Sequence, residues 1–228
     1  EHEASYKILQ EEFKTLPVEF IVESNFREQL KSVVLELASD RVFFMTDDAI
    51  FLDNYNFADV LNFNPLKELF SLRLGKDISF SFTQNKEQSL PGFKSEVINN
   101  QQFFSWIWGD QKNSPDWYYP LSVDATIFCR DEIEIIFKHI DFKKPNSLEG
   151  SLQIFRNVFL SRKGVCYQKA KYVIIPCNIV QKDFDNVFTG TYDTSELLKL
   201  FLDGKRINWK SCSGMNPKTV QQVKYDFL

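Results

Sequence analysis

The spacing of apolar residues predicts alternating helices and strands along most of the chain. Helical spacing occurs at Tyr6, Leu9, Phe13 and Leu16, and again from about 26 to 38. Short apolar runs typical of strands lie at 18–22, 42–45, 70–74, 122–128 and 172–178. Because helix and strand alternate at the start of the chain, we expect an α/β domain. Its central sheet is expected to be mixed but mainly parallel, with helices on both faces.

Two adjacent carboxylates follow the strand predicted at 42–45. Asp47 and Asp48 come directly after this apolar run, and Ile50 and Phe51 then continue it. A carboxylate beside a buried strand is costly unless a partner neutralises it. At the carboxyl end of a parallel strand, that partner is commonly a ligand or a hard divalent cation. Ordinary turn chemistry, in which an Asp caps the next element, explains the same pair. The pair therefore indicates either a metal site or a turn.

The composition is that of one domain that is rich in phenylalanine. The 228 residues are 43% hydrophobic and 25% charged, and 23 of them are Phe. Aromatic enrichment fits either a deep core or a carbohydrate site. The net charge of −4 argues against nucleic acid as a partner.

Other features of the composition bear on the compartment and on metals. No apolar run reaches the roughly 18 residues of a transmembrane helix, and the acidic start is unlike a signal peptide. The missing initiator Met suggests that the chain begins inside a longer gene product. The four Cys lack metal-ligand spacing and favour free thiols in the cytoplasm. With two His in the chain, a His-rich zinc site is excluded.

Further along the chain, several residues could contribute to a ligand site. Trp106, Trp108 and Trp117 lie in an aromatic region that fits either the wall of a sugar-acceptor cleft or a core wedge. Asp124 lies within an otherwise apolar strand. Glu149 is placed near a helix start, where it is either a favourable first-turn acid or a general base.

Five segments, in this order, resemble sequence blocks of GT-A-fold glycosyltransferases, including a group from bacteria and large algal viruses. They are 43–51, which matches the strand-plus-acid motif, and 70–76, 119–124, 145–149 and 175–181. The resemblance extends from about Tyr6 to Gln181. It implies a single glycosyltransferase domain with a nucleotide- and metal-binding half at about 1–82. An acceptor half would follow at about 83–181, with a C-terminal tail or flap at about 182–228.

The resemblance also implies roles for individual residues. Asp47 and Asp48 would bind Mn²⁺ or Mg²⁺ against the diphosphate of a nucleotide sugar, most simply a UDP-sugar. Asp47, Arg73 and Asn178 would contact the donor. The tryptophans would line the site of a glycan or glycoconjugate acceptor, and Asp124 or Glu149 would be the catalytic base.

Two features depart from the family pattern. The acids are adjacent rather than spaced Asp-X-Asp, and the strand that normally opens the fold does not precede Tyr6. The sequence leaves inversion or retention open, together with the donor sugar, its base and the oligomeric state.

Two other classes of protein were weighed against a glycosyltransferase. A non-catalytic carbohydrate-binding module would use the three tryptophans as a platform and need no metal. A metal-dependent phosphohydrolase would normally require more acids or histidines than this chain offers.

Overall fold

The structure is a computed structural model that describes residues 2–177, 192–221 and 224–228. Its helices are α1 (Glu3–Phe13), α2 (Phe26–Glu36), α3 (Phe57–Leu61), α4 (Arg130–His139), α5 (Pro145–Leu152), α6 (Arg156–Phe159), α7 (Thr194–Leu202) and α8 (Trp209–Cys212). Its strands are β1 (Arg41–Phe43), β2 (Ala49–Phe51), β3 (Glu68–Ser71), β4 (Phe80–Ser81), β5 (Lys86–Glu87), β6 (Lys94–Ile98), β7 (Gln101–Ile107), β8 (Thr126–Cys129), β9 (Lys163–Tyr167) and β10 (Tyr172–Ile174).

Several helices begin where a local side chain caps them, as α2 and α7 show. The side chain of Asn25 accepts a hydrogen bond from the backbone of Glu28 at the start of α2. Asp193 and Glu196 form a reciprocal capping box at the start of α7. These contacts satisfy backbone N–H groups that have no partner within the helix. The helix predicted near 26–38 is therefore confirmed.

The central sheet has six strands in the order β1-β8-β3-β9-β7-β6. Only the β3–β9 pair is parallel, and the other four pairs are antiparallel. The α/β class is confirmed, but the expectation of a mainly parallel sheet is wrong. A strand missed in the sequence, β9, inserts between β3 and β7, and the β6–β7 hairpin extends the sheet with antiparallel strands.

Two other expected strands also differ from the structure. Residues 18–22 form no strand. The apolar run from Tyr172 forms β10, which pairs with β2 in a separate two-stranded sheet. A second small sheet joins β4 to β5.

Each face of the central sheet is covered by a different layer. Leu69, Phe128 and Cys166 pack with α2, α4 and α5. Their sequence neighbours Phe70, Ile127 and Val165 pack on the other face with α3, β2 and β10. This alternation follows from the two-residue period of a strand. Much of the phenylalanine enrichment belongs to this core, where ring pairs such as Phe63 and Phe103 lie with centroids 5.1 Å apart.

Within the ranges that the structure describes, no helix has both the length and the apolar content needed to cross a membrane.

We predict that Gly164→Ala destabilises the fold. A Cβ at this position would lie 2.2 Å from the ring of Trp106, its partner across the β7–β9 ladder. That ring is packed against Trp108 and Trp117, with centroids 4.8 Å away in each case. Overpacking of this kind costs about 1–3 kcal/mol. Urea unfolding should show this loss.

The matched control is Gly150→Ala in α5, where nothing lies within 4 Å of the added Cβ. This change should stabilise the protein by about 0.5–1 kcal/mol, because alanine loses less backbone entropy in a helix. Equal stability of Gly164→Ala and the parent protein would contradict the packing described here.

Candidate active site

The pairing of β8 with two antiparallel neighbours places Asp124 at the centre of a polar cluster. Phe43 pairs with Ile127 on one side, and Phe70 pairs with Ile127 on the other. Ala125, between Asp124 and β8, has a positive φ of 52° that interrupts the regular strand. Bonds from Ala125 N to Phe44 O (2.9 Å) and from Leu72 N to Ala125 O (3.0 Å) still tie this residue to the segments that lead to Thr46 and Arg73.

Two hydroxyl groups hold the Asp124 carboxylate. Thr46 donates a hydrogen bond to one oxygen (3.3 Å), and Ser122 donates to the other (3.4 Å). The backbone N–H of Asp124 in turn donates to the Ser122 hydroxyl (3.2 Å). The carboxylate is therefore oriented from two sides while its side chain stays partly exposed.

Helix α5 brings Glu149 to the same cluster. One carboxylate oxygen of Glu149 accepts a hydrogen bond from the backbone N–H of Val123 (3.2 Å). Gln153, one turn later, donates to the carbonyl of Leu121 (3.0 Å) and so anchors the helix to the same segment. The interpretation of Glu149 as a first-turn acid is wrong, because Glu149 is the fifth residue of α5 and lies beyond its first turn. It remains partly exposed, like Asp124.

Asp47 and Asp48 follow edge strand β1, but their environments differ. Asp48 is half-buried, and its carbonyl accepts a hydrogen bond from Ile175 N (2.7 Å), whereas Asp47 is exposed. The pair lies beside the segment that precedes β8 because β1 and β8 are antiparallel. The expected position at the end of a parallel strand is thus wrong. The antiparallel pairing nevertheless brings Asp48 close enough to Asp124 for its negative charge to raise the pKa of Asp124.

Arg73 is the buried counter-charge of the cluster. It is 4% exposed, and its guanidinium lies 3.5 Å from a carboxylate oxygen of Asp116. Gln88 donates to the other oxygen of Asp116 (2.7 Å), which completes a buried network. An arginine that binds a phosphate from solvent would be more exposed than Arg73. The expected role of Arg73 in donor binding stays a prediction.

The acids of the cluster have raised pKa values. Burial and then the charge of Glu149 raise the pKa of Asp124 to about 7, against the effect of Arg73. Burial also raises the pKa of Glu149, opposed by the hydrogen bond from Val123. Burial, together with the charge of Asp47, raises the pKa of Asp48. Clustered carboxyls with raised pKa values are typical of catalytic sites.

Two tyrosines that the sequence analysis did not select also belong to the cluster. Burial and the charge of Glu149 raise the pKa of Tyr119, and burial and the charge of Asp124 raise that of Tyr172. The ring of Tyr119 lies 5.9 Å from the guanidinium of Arg73. The Tyr172 hydroxyl is buried beside Thr46, which also bonds to Asp124. Of these two tyrosines, only Tyr172 had a signal in the sequence. It lies in the strand predicted at 172–178, where the two-residue period places alternate side chains on one face.

The three tryptophans do not line a cleft. Trp106 is 4% exposed, and Trp108 and Trp117 are 0% exposed. The indole N–H of Trp117 donates to the carbonyl of Ile78 (3.0 Å), inside the core. Because stacking on a sugar requires an exposed ring face, the assignment of these residues to acceptor binding is wrong. The platform required by a non-catalytic binding module is therefore absent at these positions.

A divalent cation fits the acids only if a ligand helps to hold it. In the ranges that the structure describes, no group of three or more His, Cys, Asp or Glu side chains is arranged around a metal position. Mg²⁺ and similar ions are commonly bound by one or two carboxylates together with substrate phosphates. Asp47 and Asp48 fit that arrangement. Asn178, the remaining expected donor contact, lies outside the described residues.

A comparison with curated proteins supports a relationship to glycosyltransferases. The chain is 26% identical over 226 residues to the bifunctional glycosyltransferase pgtA of Dictyostelium discoideum. The match covers 90% of this chain and 29% of that protein, so the chain spans less than a third of its relative. No family model and no solved structure matches the chain. The GT-A fold and the relation to bacterial and viral enzymes therefore stay predictions.

We predict that Asp124→Asn stabilises the protein increasingly as the pH rises from about 4 to about 8. The pKa of Asp124 is higher in the folded state than its ordinary value of 3.8, so the folded state binds more protons in this range. Its stability therefore falls as the pH rises through about 7. Removing the ionisable group should raise the free energy of unfolding by about 2 kcal/mol at pH 8. This is less than the whole pKa shift would give, because Asp124 is partly exposed to solvent.

Urea unfolding at several pH values measures this difference. Glu96→Gln, which removes an exposed acid from edge strand β6, is the control and should give a curve parallel to that of the parent protein. A constant difference between Asp124→Asn and the parent protein across the pH range would contradict the raised pKa.

Proposed function

We propose that this chain transfers a sugar from a nucleoside-diphosphate sugar, most simply a UDP-sugar, to a hydroxyl group of a glycan or glycoconjugate. The observation that carries the proposal is the convergence of Asp48, Asp124 and Glu149 beside a buried arginine. The similarity to a glycosyltransferase over 90% of the chain supports the same general reaction.

Asp124 is the catalytic base in this proposal. It accepts the proton of the acceptor hydroxyl, whose oxygen attacks the anomeric carbon of the donor sugar. The bond from that carbon to the phosphate oxygen breaks, and the nucleoside diphosphate leaves with the electron pair. A pKa of about 7 suits this role, because a base works best when its pKa is near the operating pH. Such a single displacement inverts the anomeric centre.

Glu149 and Arg73 adjust the basicity of Asp124. The negative charge of Glu149 raises the pKa of Asp124, and the positive charge of Arg73 lowers it. Because Asp116 and Gln88 hold Arg73 in place, its charge stays close to both acids. Glu149 is thus a positioning and charge-setting residue, while the hydroxyls of Thr46 and Ser122 orient the base.

Asp48, with Asp47, would hold Mn²⁺ or Mg²⁺ together with the donor phosphates. When bound, such an ion offsets the negative charge that develops on the leaving diphosphate. The partly buried position of Asp48 supports it as the main protein ligand, whereas exposed Asp47 would act from the solvent side.

We expect UDP with Mn²⁺ to raise the melting temperature, because a ligand that binds only the folded state stabilises it. Saturation at about 100 times Kd is worth about 2.7 kcal/mol, or roughly 5–10 °C for a chain of this size. Asp48→Asn should remove the metal-dependent part of the shift. The exposed-acid variant Asp110→Asn is the control and should retain it. Absence of a shift with UDP and with GDP, with or without Mn²⁺, would contradict the donor site.

We also expect Asp124→Asn to lower kcat by about 10²–10⁴-fold, the usual contribution of a general base. In the variant Glu149→Gln, kcat/KM should instead begin to increase at a lower pH. The reason is that the pKa of Asp124 falls when the neighbouring negative charge is removed. Release of UDP from a UDP-sugar panel with glycan acceptors measures both effects. If Glu149→Gln abolishes transfer while Asp124→Asn only shifts the pH profile, the base is Glu149.

A further inference from the structure

A second concave site lies beside Tyr55, whose ring stacks on Phe51 of β2. It is a cavity of about 280 Å³ between the loop that precedes α3, the start of β7 and the end of β9. It is lined in part by Asn54, Tyr55, Asn56, Asp59, Gln101 and Tyr167. None of the acids of the candidate active site belongs to this lining.

The wall of the cavity is held by internal contacts. The hydroxyl of Tyr167 donates to a carboxylate oxygen of Asp59 (2.9 Å), which joins β9 to α3. The side-chain oxygen of Asn56 accepts from the backbone of Ala58 (3.0 Å). The ring of Tyr55 stacks on that of Phe51, with centroids 5.5 Å apart. The polar groups therefore project from an ordered surface, which lowers the entropy lost on binding.

Several polar groups of this wall have spare hydrogen-bonding capacity. The side-chain amide of Asn54 and the hydroxyl of Tyr55 have no hydrogen-bond partner within the part of the chain that the structure describes. The side-chain N–H of Gln101 contacts the neighbouring carbonyl of Gln102 (3.0 Å), which leaves the amide oxygen of Gln101 as an acceptor. The site therefore offers both donors and acceptors, as a ligand with several hydroxyl groups requires.

The charges at this site do not favour an anion. The ammonium group of Lys171 forms an ion pair with Asp53 and lies 5.3 Å from the centroid of the Tyr167 ring. Asp59 adds a further negative charge. Because the lining residue Lys171 is already paired and Asp59 adds a second acid to the wall, a phosphate would meet no net positive charge from these side chains.

We propose that this cavity binds a neutral saccharide unit. Amides, a carboxylate and tyrosine hydroxyls match the hydroxyl groups of a sugar, and the volume is near the lower end of small-molecule sites. The cavity is connected to the candidate active site by ring contacts. Tyr55 stacks on Phe51, and Phe51 meets Tyr172 edge-on, with centroids 5.7 Å apart. The proposal does not require that the chain transfers sugars.

The test measures the binding of neutral methyl glycosides without any nucleotide. Ligand-observed NMR with the methyl glycosides of glucose, galactose, mannose, xylose, fucose and N-acetylglucosamine provides the panel. We expect at least one to bind with Kd of about 1 mM, a free energy of about −4.1 kcal/mol. The double variant Asn54→Ala/Gln101→Ala should weaken that binding at least fivefold, and Tyr55→Phe should weaken it while keeping the ring contact with Phe51.

The matched control is Gln102→Ala, which removes the same side chain from the next position of β7. Because side chains alternate across a strand, Gln102 points away from the cavity, and its replacement should leave binding unchanged. Melting temperatures close to that of the parent protein would show that the variants are folded.

Two results would overturn the proposal. The first concerns glycoside binding: either no glycoside binds the parent protein, or the cavity variants bind the glycoside as well as Gln102→Ala does. The second is that UDP alone displaces the glycoside and that UDP binding is lost in the cavity variants, since the cavity would then be a nucleotide subsite. Asp48→Asn should leave glycoside binding intact, so failure of the donor site and failure of this site are distinguishable.

Discussion

The antiparallel pairing of β8 with both β1 and β3 is the constraint on which the candidate active site depends. These two ladders bring the segments that follow β1 and β3 to either side of Ala125, which bonds to both and directly follows Asp124. Thr46 then supplies a hydroxyl from one side, and Arg73 supplies a charge from the other. A shift of either register by one residue would turn these side chains to the opposite face of the sheet.

Holding several carboxyls in one place is unfavourable, and the surrounding structure offsets the cost only in part. Arg73 offsets the negative charge of Asp124 and Glu149, and the network through Asp116 keeps the guanidinium in position. The raised pKa values show that burial still outweighs this compensation. Buried carboxyls with raised pKa values destabilise the fold, and proteins commonly keep them at catalytic sites.

The aromatic residues serve the scaffold more than the surface. Packing of the Trp106 ring over Gly164 brings β7 and β9 together, and the neighbouring indoles fill the core behind that contact. The parallel pair β3–β9 lies beside this region of the sheet. The rigid ladders on that side support β3, from which the chain continues directly to Arg73.

The sequence by itself determined the helices with strong caps and periodicity, and it singled out Asp48, Asp124 and Glu149 as the acids of interest. Those signals are local: a cap acts within one turn, and a carboxylate in an apolar run is conspicuous wherever it lies. Only the tertiary structure decided which strands pair, because β3 and β9 are brought together from distant parts of the chain. It also decided that the tryptophans are core and that Tyr119 and Tyr172 join the acids. Aromatic residues suit a core and a sugar site equally well, so their environment depends on contacts that no local pattern encodes.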